Sequence, residues 1–88
     1  MTLETLKERL GELGYEESVV FERPDYADAV IGVSEQGRVV YDYGKMVSHL
    51  VEKDGMDEEE AMEFIDYNTI RALPYAGDLA PIVMYPLV

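Results

Sequence analysis

The segment RVVYDYGKMVSHLVEKDG, residues 38–55, changes from the residue pattern of a β-strand to that of an α-helix. Its first part, RVVYDY, is rich in β-branched and aromatic residues, which are typical of strands. Its second part has four apolar residues at helical spacing: Met46, Val47, Leu50 and Val51. Gly55 follows as a helix-stop signal. The segment therefore predicts a strand followed directly by a helix.

The residues before this segment predict more strands. An apolar run from Ala27 to Val33 precedes the turn sequence SEQGR, and the strand pattern of RVVYDY overlaps its end. Because two apolar runs joined by a short Gly-containing loop pair antiparallel, we expect a β-hairpin over residues 28–43, closed around Gly37. SVVFE, residues 18–22, predicts another short strand that ends before Pro24.

Helices are predicted on both sides of the hairpin. In TLETLKERLGELG, residues 2–14, four leucines form one apolar stripe: Leu3, Leu6, Leu10 and Leu13. Thr2 or Thr5 is a suitable N-terminal cap, Thr5 with Glu8 has the capping-box pattern, and Gly14 is a suitable C-terminal stop. This stretch predicts an N-terminal amphipathic helix.

Asp57 and Glu60 form a second capping-box pattern, which predicts the start of a third helix. Its predicted apolar face contains Ala61, Met62, Phe64, Ile65, Thr69 and Leu73. Pro74 and Gly77 end this helix, and PIVMYPL, residues 81–87, predicts a last strand. The order α-β-β-β-α-α-β predicts an α+β fold over residues 1–88, a single acidic domain with a small, mainly antiparallel sheet of three to four strands packed with helices.

Charge is the main compositional signal. The 88 residues include 19 Asp and Glu against 7 Lys and Arg, a formal net charge of −12. Such a field repels phosphates and anionic lipids, so we expect no direct nucleic acid binding and no membrane partner. The absence of cysteine excludes disulfides and thiolate ligands, and no stretch is apolar enough for a membrane span or a signal peptide. We therefore expect a cytoplasmic protein that is not an enzyme and binds a basic protein surface.

Catalytic and metal-binding patterns are weak. His49 is the only histidine, and its neighbour Ser48 points about 100° away on a helix, so the two do not form a dyad. We expect His49 to be a surface or boundary residue. The acidic run from Asp54 to Glu60 does not match a calcium loop, and the positive end of a helix dipole explains carboxylates there. No glycine pattern for phosphate binding occurs. We expect no metal and no cofactor.

Two sets of residues are candidate sites. The first is a partner-binding acidic set: Glu52, Asp54, Glu58, Glu59, Glu63 and Asp66. Three members of this set, Glu59, Glu63 and Asp66, are spaced by four and three positions, which predicts a row of negative charge on one helix face. The second is a possible ligand pocket for a small-ligand or enzymatic alternative: Tyr41, Tyr43, Tyr67, Asn68 and Arg71. We favour a helix-closing role for Tyr67 and Asn68, because such residues bond the free backbone groups at helix ends. A structural homodimer that pairs through APIVMY is a third alternative to a monomer.

From Ala29 onward, four motifs carry a resemblance: YDY (41–43), DGM (54–56), EEAMEFIDYNTIRALPY (59–75) and PIVM (81–84). With these motifs the chain resembles a family of small uncharacterised proteins encoded in bacterial genomes, prophages and mobile elements. The resemblance implies a mobile-element context and assigns no residue a role. Together with the acidic charge, it leads to the hypothesis of an anti-CRISPR or other anti-defence inhibitor, whose carboxylates stand where phosphates bind. A solvated acidic surface without mimicry is the competing interpretation.

Overall fold

The computed structural model describes residues 1–87 and has the α+β fold that the sequence predicts. The α-helices are α1 (Leu3–Glu12), α2 (Tyr43–Asp54) and α3 (Glu58–Phe64), and the strands are β1 (Val30–Val33), β2 (Val39–Asp42) and β3 (Ile82–Met84). A 3-10 turn (Ala27–Ala29) precedes β1. A π turn (Ile65–Thr69) and a 3-10 segment (Ile70–Tyr75) continue α3.

The three strands form one sheet in the order β1-β2-β3. β1 and β2 are antiparallel, which confirms the predicted hairpin, and Ile31 lies where a register shift interrupts their pairing. β2 and β3 are parallel, because α2, α3 and the segments after them carry the chain back to the same end of the sheet. The sheet is therefore mixed, with one antiparallel and one parallel pair, rather than mainly antiparallel.

The strand predicted over residues 18–22 does not form. Its backbone groups bond at isolated points instead: the Val19 amide donates to the Leu79 carbonyl (3.3 Å), and the Phe21 amide donates to the Tyr41 hydroxyl (3.1 Å). Since a side chain takes the Phe21 donor, that donor cannot enter a ladder with a neighbouring strand. The segment is a connection that is held against the sheet by single hydrogen bonds.

Each α-helix begins at a residue whose side chain caps it. Thr2 accepts a hydrogen bond from the Thr5 amide (3.1 Å), so Thr2, and not Thr5, caps α1. Asp42 accepts from the Lys45 amide (3.0 Å) at the start of α2. Before α3, Asp57 accepts from the Glu60 amide (2.9 Å), and the predicted capping box is present. These caps satisfy backbone donors that lack a partner within the helix.

The core lies between the sheet and the helices. Its largest fully buried side chains include Tyr26, Val39, Tyr41, Met46, Leu50 and Ile65. Some residues that the sequence assigns to apolar stripes lie outside it, among them Leu13, which is 63% exposed, and Met62, which is 44% exposed. Leu13 is exposed because α1 ends before it and the chain turns at Gly14, whose φ is +84°. Met62 is exposed because Ala61 and Ile65, four residues apart, form the buried face of this helix.

Candidate functional site

A groove of about 630 Å³ runs along one face of α3, the π turn and the 3-10 segment. We call it the acidic groove, and its lining residues are Met56, Glu60, Glu63, Phe64, Asp66, Tyr67, Asn68 and Arg71. It contains members of both predicted sets: Glu63 and Asp66 from the acidic set, and Tyr67, Asn68 and Arg71 from the pocket set. The structure thus joins two sets that the sequence treats as alternatives.

Part of the lining of the acidic groove is apolar, and we call its partly buried residues, Met56 and Phe64, the apolar floor. Met56 and Phe64 are partly buried and pack against the hydrophobic core. Tyr67 is 71% exposed, and the guanidinium carbon of Arg71 lies 4.7 Å from the centre of its ring, a cation–π geometry. The groove therefore offers apolar surface that a partner can contact, together with charged groups.

The three carboxylates of the groove differ in what they already bind. Glu60 belongs to the capping box through a hydrogen bond from the Asp57 amide (3.4 Å). Asp66 accepts a hydrogen bond from the Tyr43 hydroxyl (3.2 Å). Within residues 1–87, no ion pair engages Glu63. Glu63 is therefore the carboxylate that is most readily available to a partner.

The other acidic-set residues are exposed but lie outside the groove. Glu52 and Asp54 are in the last turn of α2, while Glu58 and Glu59 are in the first turn of α3. The helix dipole favours carboxylates at the start of α3 and opposes them at the end of α2. Over residues 1–87, Lys7 forms an ion pair with Glu22 and His49 contacts Asp28, and no Lys or Arg forms an ion pair with a member of the acidic set.

The pocket set does not converge as a whole. Tyr41 is fully buried in the core, where burial raises its pKa to about 12, so it does not reach the groove. Tyr43 is partly buried, and its ring centre lies 4.7 Å from that of Tyr85. Asn68 donates its side-chain amide to the Phe64 carbonyl (3.2 Å), four residues earlier, which agrees with a helix-closing role. Only Tyr67, Asn68 and Arg71 share one cavity.

The π turn is a local irregularity beside the groove. The sequence predicts one regular helix from residue 58 to residue 73, but its hydrogen bonding changes at Ile65 and again at Ile70. Ile65 and Thr69 are both buried in this turn, while Tyr67 points to solvent. π turns are rare in proteins as a whole, but they often occur at functional sites. This irregularity lies in the same region as the groove.

Sequence reasoning missed a partner for His49. Its Nδ1 atom lies 2.9 Å from a carboxylate oxygen of Asp28, and its ring centre lies 5.3 Å from that of Tyr26. The His49 side chain is only 14% exposed, as expected of a boundary residue. The pair connects α2 to the 3-10 turn, so it has a structural role. The distance of 21 positions between the two residues left no local signal for this contact.

Tyr26 is a second residue without a sequence signal. Its φ of +48° is unusual for a residue with a bulky side chain, and the residue is 1% exposed. Its hydroxyl group forms no hydrogen bond of standard geometry within residues 1–87, although Thr69 is near. Burial raises the pKa of Tyr26 more than Thr69 lowers it. Its position between Phe21 and His49 makes it part of the core.

Two further findings concern metal ligands and helix length in the described part of the chain. Among residues 1–87, no group of three or more histidines and carboxylates is placed to hold a metal ion. None of the helices in that range has the length and the apolar character that crossing a bilayer requires. The chain matches no protein-family model, no curated protein and no solved structure.

Proposed function

We propose that the protein is a non-catalytic interaction protein that binds a basic surface of another protein through its acidic face, by which we mean the acidic set on α2, α3 and the π turn. The observation that carries this proposal is Glu63, an exposed carboxylate without an ion pair within residues 1–87 that lies beside partly buried Phe64. The negative charge of Glu63 is therefore exposed to solvent next to the apolar surface of Phe64. An apolar patch flanked by charged groups fits the apolar centre and polar rim of a protein-binding site, and complementary charge guides association.

The net charge of −12 supports the same function. A field of this sign attracts Lys- and Arg-rich surfaces and accelerates their association, and salt screens it. Proteins that bind nucleic acid present such surfaces. The resemblance to prophage-encoded proteins supports one specific partner: a nucleic acid-binding host factor such as a CRISPR effector or another defence protein.

The test is a comparison of two triple variants that change the net charge equally. In the first, Glu52, Glu59 and Glu63 on the acidic face are replaced by Lys. Asp66 is kept, because it binds Tyr43. In the control, Glu12, Glu16 and Glu17, which are exposed near the end of α1, are replaced by Lys. Both variants should melt close to the parent, because exposed charges contribute little to stability.

The readout is capture from a bacterial lysate at low salt, followed by identification of the captured protein and competition with its nucleic acid. We expect the parent and the control variant to capture the same basic protein and to displace its nucleic acid, and the acidic-face variant to fail. Added salt should weaken capture by the parent steeply. Equal capture by both variants, or no basic protein captured by the parent, would refute the proposal.

The alternatives receive less support. A ligand pocket built from the five residues of the pocket set loses Tyr41 to the core. A homodimer through APIVMY would pair β3, which is an edge strand of the sheet. Light scattering at several concentrations distinguishes that dimer from a monomer directly.

A further inference from the structure

We infer that the acidic groove recognises an amphipathic basic segment of the partner, in which a Lys or Arg lies next to an apolar residue. This inference rests on the proposed function and specifies which kind of partner segment the groove binds. Basic charge alone would fit any part of the acidic face. The groove adds two further features, the apolar floor and a single cation among its lining residues.

The apolar floor favours a side chain with a long carbon stem. Met56 and Phe64 form surface next to the carboxylate of Glu63, and the exposed Tyr67 ring extends it. Lys and Arg bury their methylene groups along such surfaces while their charged ends stay near water or a carboxylate. The same surface accommodates a neighbouring apolar side chain of the partner segment.

Glu63 and Asp66 have free hydrogen-bond acceptors for the charged end of the partner's Lys or Arg side chain. Glu63 has no ion pair within the described range, and Asp66 uses one carboxylate oxygen for Tyr43. An ionised carboxylate has two oxygens and about four acceptor positions, so Asp66 retains acceptors for a second donor. An ammonium or guanidinium group near Glu63 and Asp66 therefore finds acceptors without breaking the contact with Tyr43.

Arg71 makes one part of the groove unfavourable for a second basic residue. It is the only cation among the lining residues, and it belongs to the 3-10 segment, whereas Glu60 and Glu63 belong to α3. A basic residue of the partner is repelled beside Arg71, whereas an apolar or aromatic residue is accepted there. The groove should therefore prefer a segment that combines basic and apolar residues over one that carries basic residues alone.

The experiment titrates the labelled protein with two synthetic peptides of equal length and charge. In the first, lysines and leucines both recur at helical spacing, so that each lysine has a leucine beside it. In the second, the same lysines are placed among Ser residues. We expect the Lys/Leu peptide to bind more tightly and to shift the backbone NMR signals of residues 63–71. Equal affinity for both peptides would show that the apolar floor has no part in recognition and would overturn the inference.

Two matched pairs of variants locate the binding. Glu63→Gln and Glu12→Gln remove the same charge from exposed helix positions, in α3 and α1 respectively, but only Glu63 lines the groove. Tyr67→Ala and Tyr75→Ala remove the same exposed ring, and only Tyr67 lines the groove. Each groove variant should weaken Lys/Leu peptide binding at least about threefold, and each control should change it less than about twofold.

These outcomes separate the inference from the proposed function. If Glu12→Gln weakens peptide binding as much as Glu63→Gln does, only net charge matters and the groove inference is overturned, whereas capture of a basic protein by the parent would still support the proposed function. If the parent binds neither peptide but captures a basic protein from lysate, only the groove inference is overturned. If the parent does neither, both proposals are wrong. The altered side chains are exposed, so thermal melts should confirm that all four variants fold.

Discussion

The hydroxyl group of Tyr43, the first residue of α2, donates a hydrogen bond to the carboxylate of Asp66 in the π turn across 3.2 Å. This contact connects the start of one helix to a lining residue of the acidic groove. Burial, the hydrogen bond to Asp66 and the charge of Asp66 raise the pKa of Tyr43 from 10.0 to about 12, and Tyr85 adds to the effect.

The raised pKa predicts how stability responds to alkali. Because the neutral phenol is favoured in the folded state, the contribution of Tyr43 is fully present below pH 10 and is lost as the pH rises through 12. Tyr43→Phe should therefore lose less stability between these pH values than the parent does. Urea denaturation across this range, with the absorbance of tyrosinate recorded alongside, measures the difference. An identical loss in both proteins would contradict the assigned contact.

Ile65 and Met62 provide a test of the buried helix face. Ile65 is fully buried, whereas Met62 is 44% exposed, although the sequence pattern assigns both to the apolar stripe. Ile65→Ala should cost about 2–5 kcal/mol of unfolding free energy because it leaves a cavity, and Met62→Ala should cost less than about 1 kcal/mol. Urea denaturation of the two variants measures both values. A larger loss of unfolding free energy for Met62→Ala than for Ile65→Ala would show that the helix face containing Ile65 is not the buried one.

Gly37 and Gly11 predict opposite responses to the same substitution. Gly37 has a φ of +91°, and an added Cβ would lie 3.0 Å from the Tyr15 ring. Gly37→Ala should therefore cost about 1–2 kcal/mol or more. Gly11 lies in α1 with open space around it, so Gly11→Ala should stabilise the protein by up to about 1 kcal/mol. Thermal melts should move in opposite directions, and a shift of the same sign would refute the hairpin geometry.

His49 should be dispensable for partner binding. It contacts Asp28 and Tyr26, and none of these three residues lines the acidic groove. His49→Ala should lower stability by about 1 kcal/mol through the lost hydrogen bond, while capture of the partner stays as in the parent. A variant that folds normally and no longer binds would show that His49 has a functional role and would revive the enzyme alternative.

Local properties of the sequence determined much of this fold. The cap at Asp57, the stop at Gly55 and the hairpin around Gly37 were predictable, because each depends on residues within about four positions of one another. The acidic character of the surface was equally accessible, since charge requires only composition. These features fix the number and type of most elements and the sign of the protein's own charge.

Only the tertiary structure decided how distant elements combine. The parallel pairing of β2 with β3, the isolated hydrogen bonds of residues 18–22 and the Asp28–His49 contact join positions far apart in the chain. The candidate site depends on the same effect: the sequence assigns Tyr41 and Tyr67 to one pocket set, but Tyr41 is buried in the sheet and Tyr67 is exposed in the π turn. Burial results from packing between elements, and local sequence patterns carry little information about which partners an element meets.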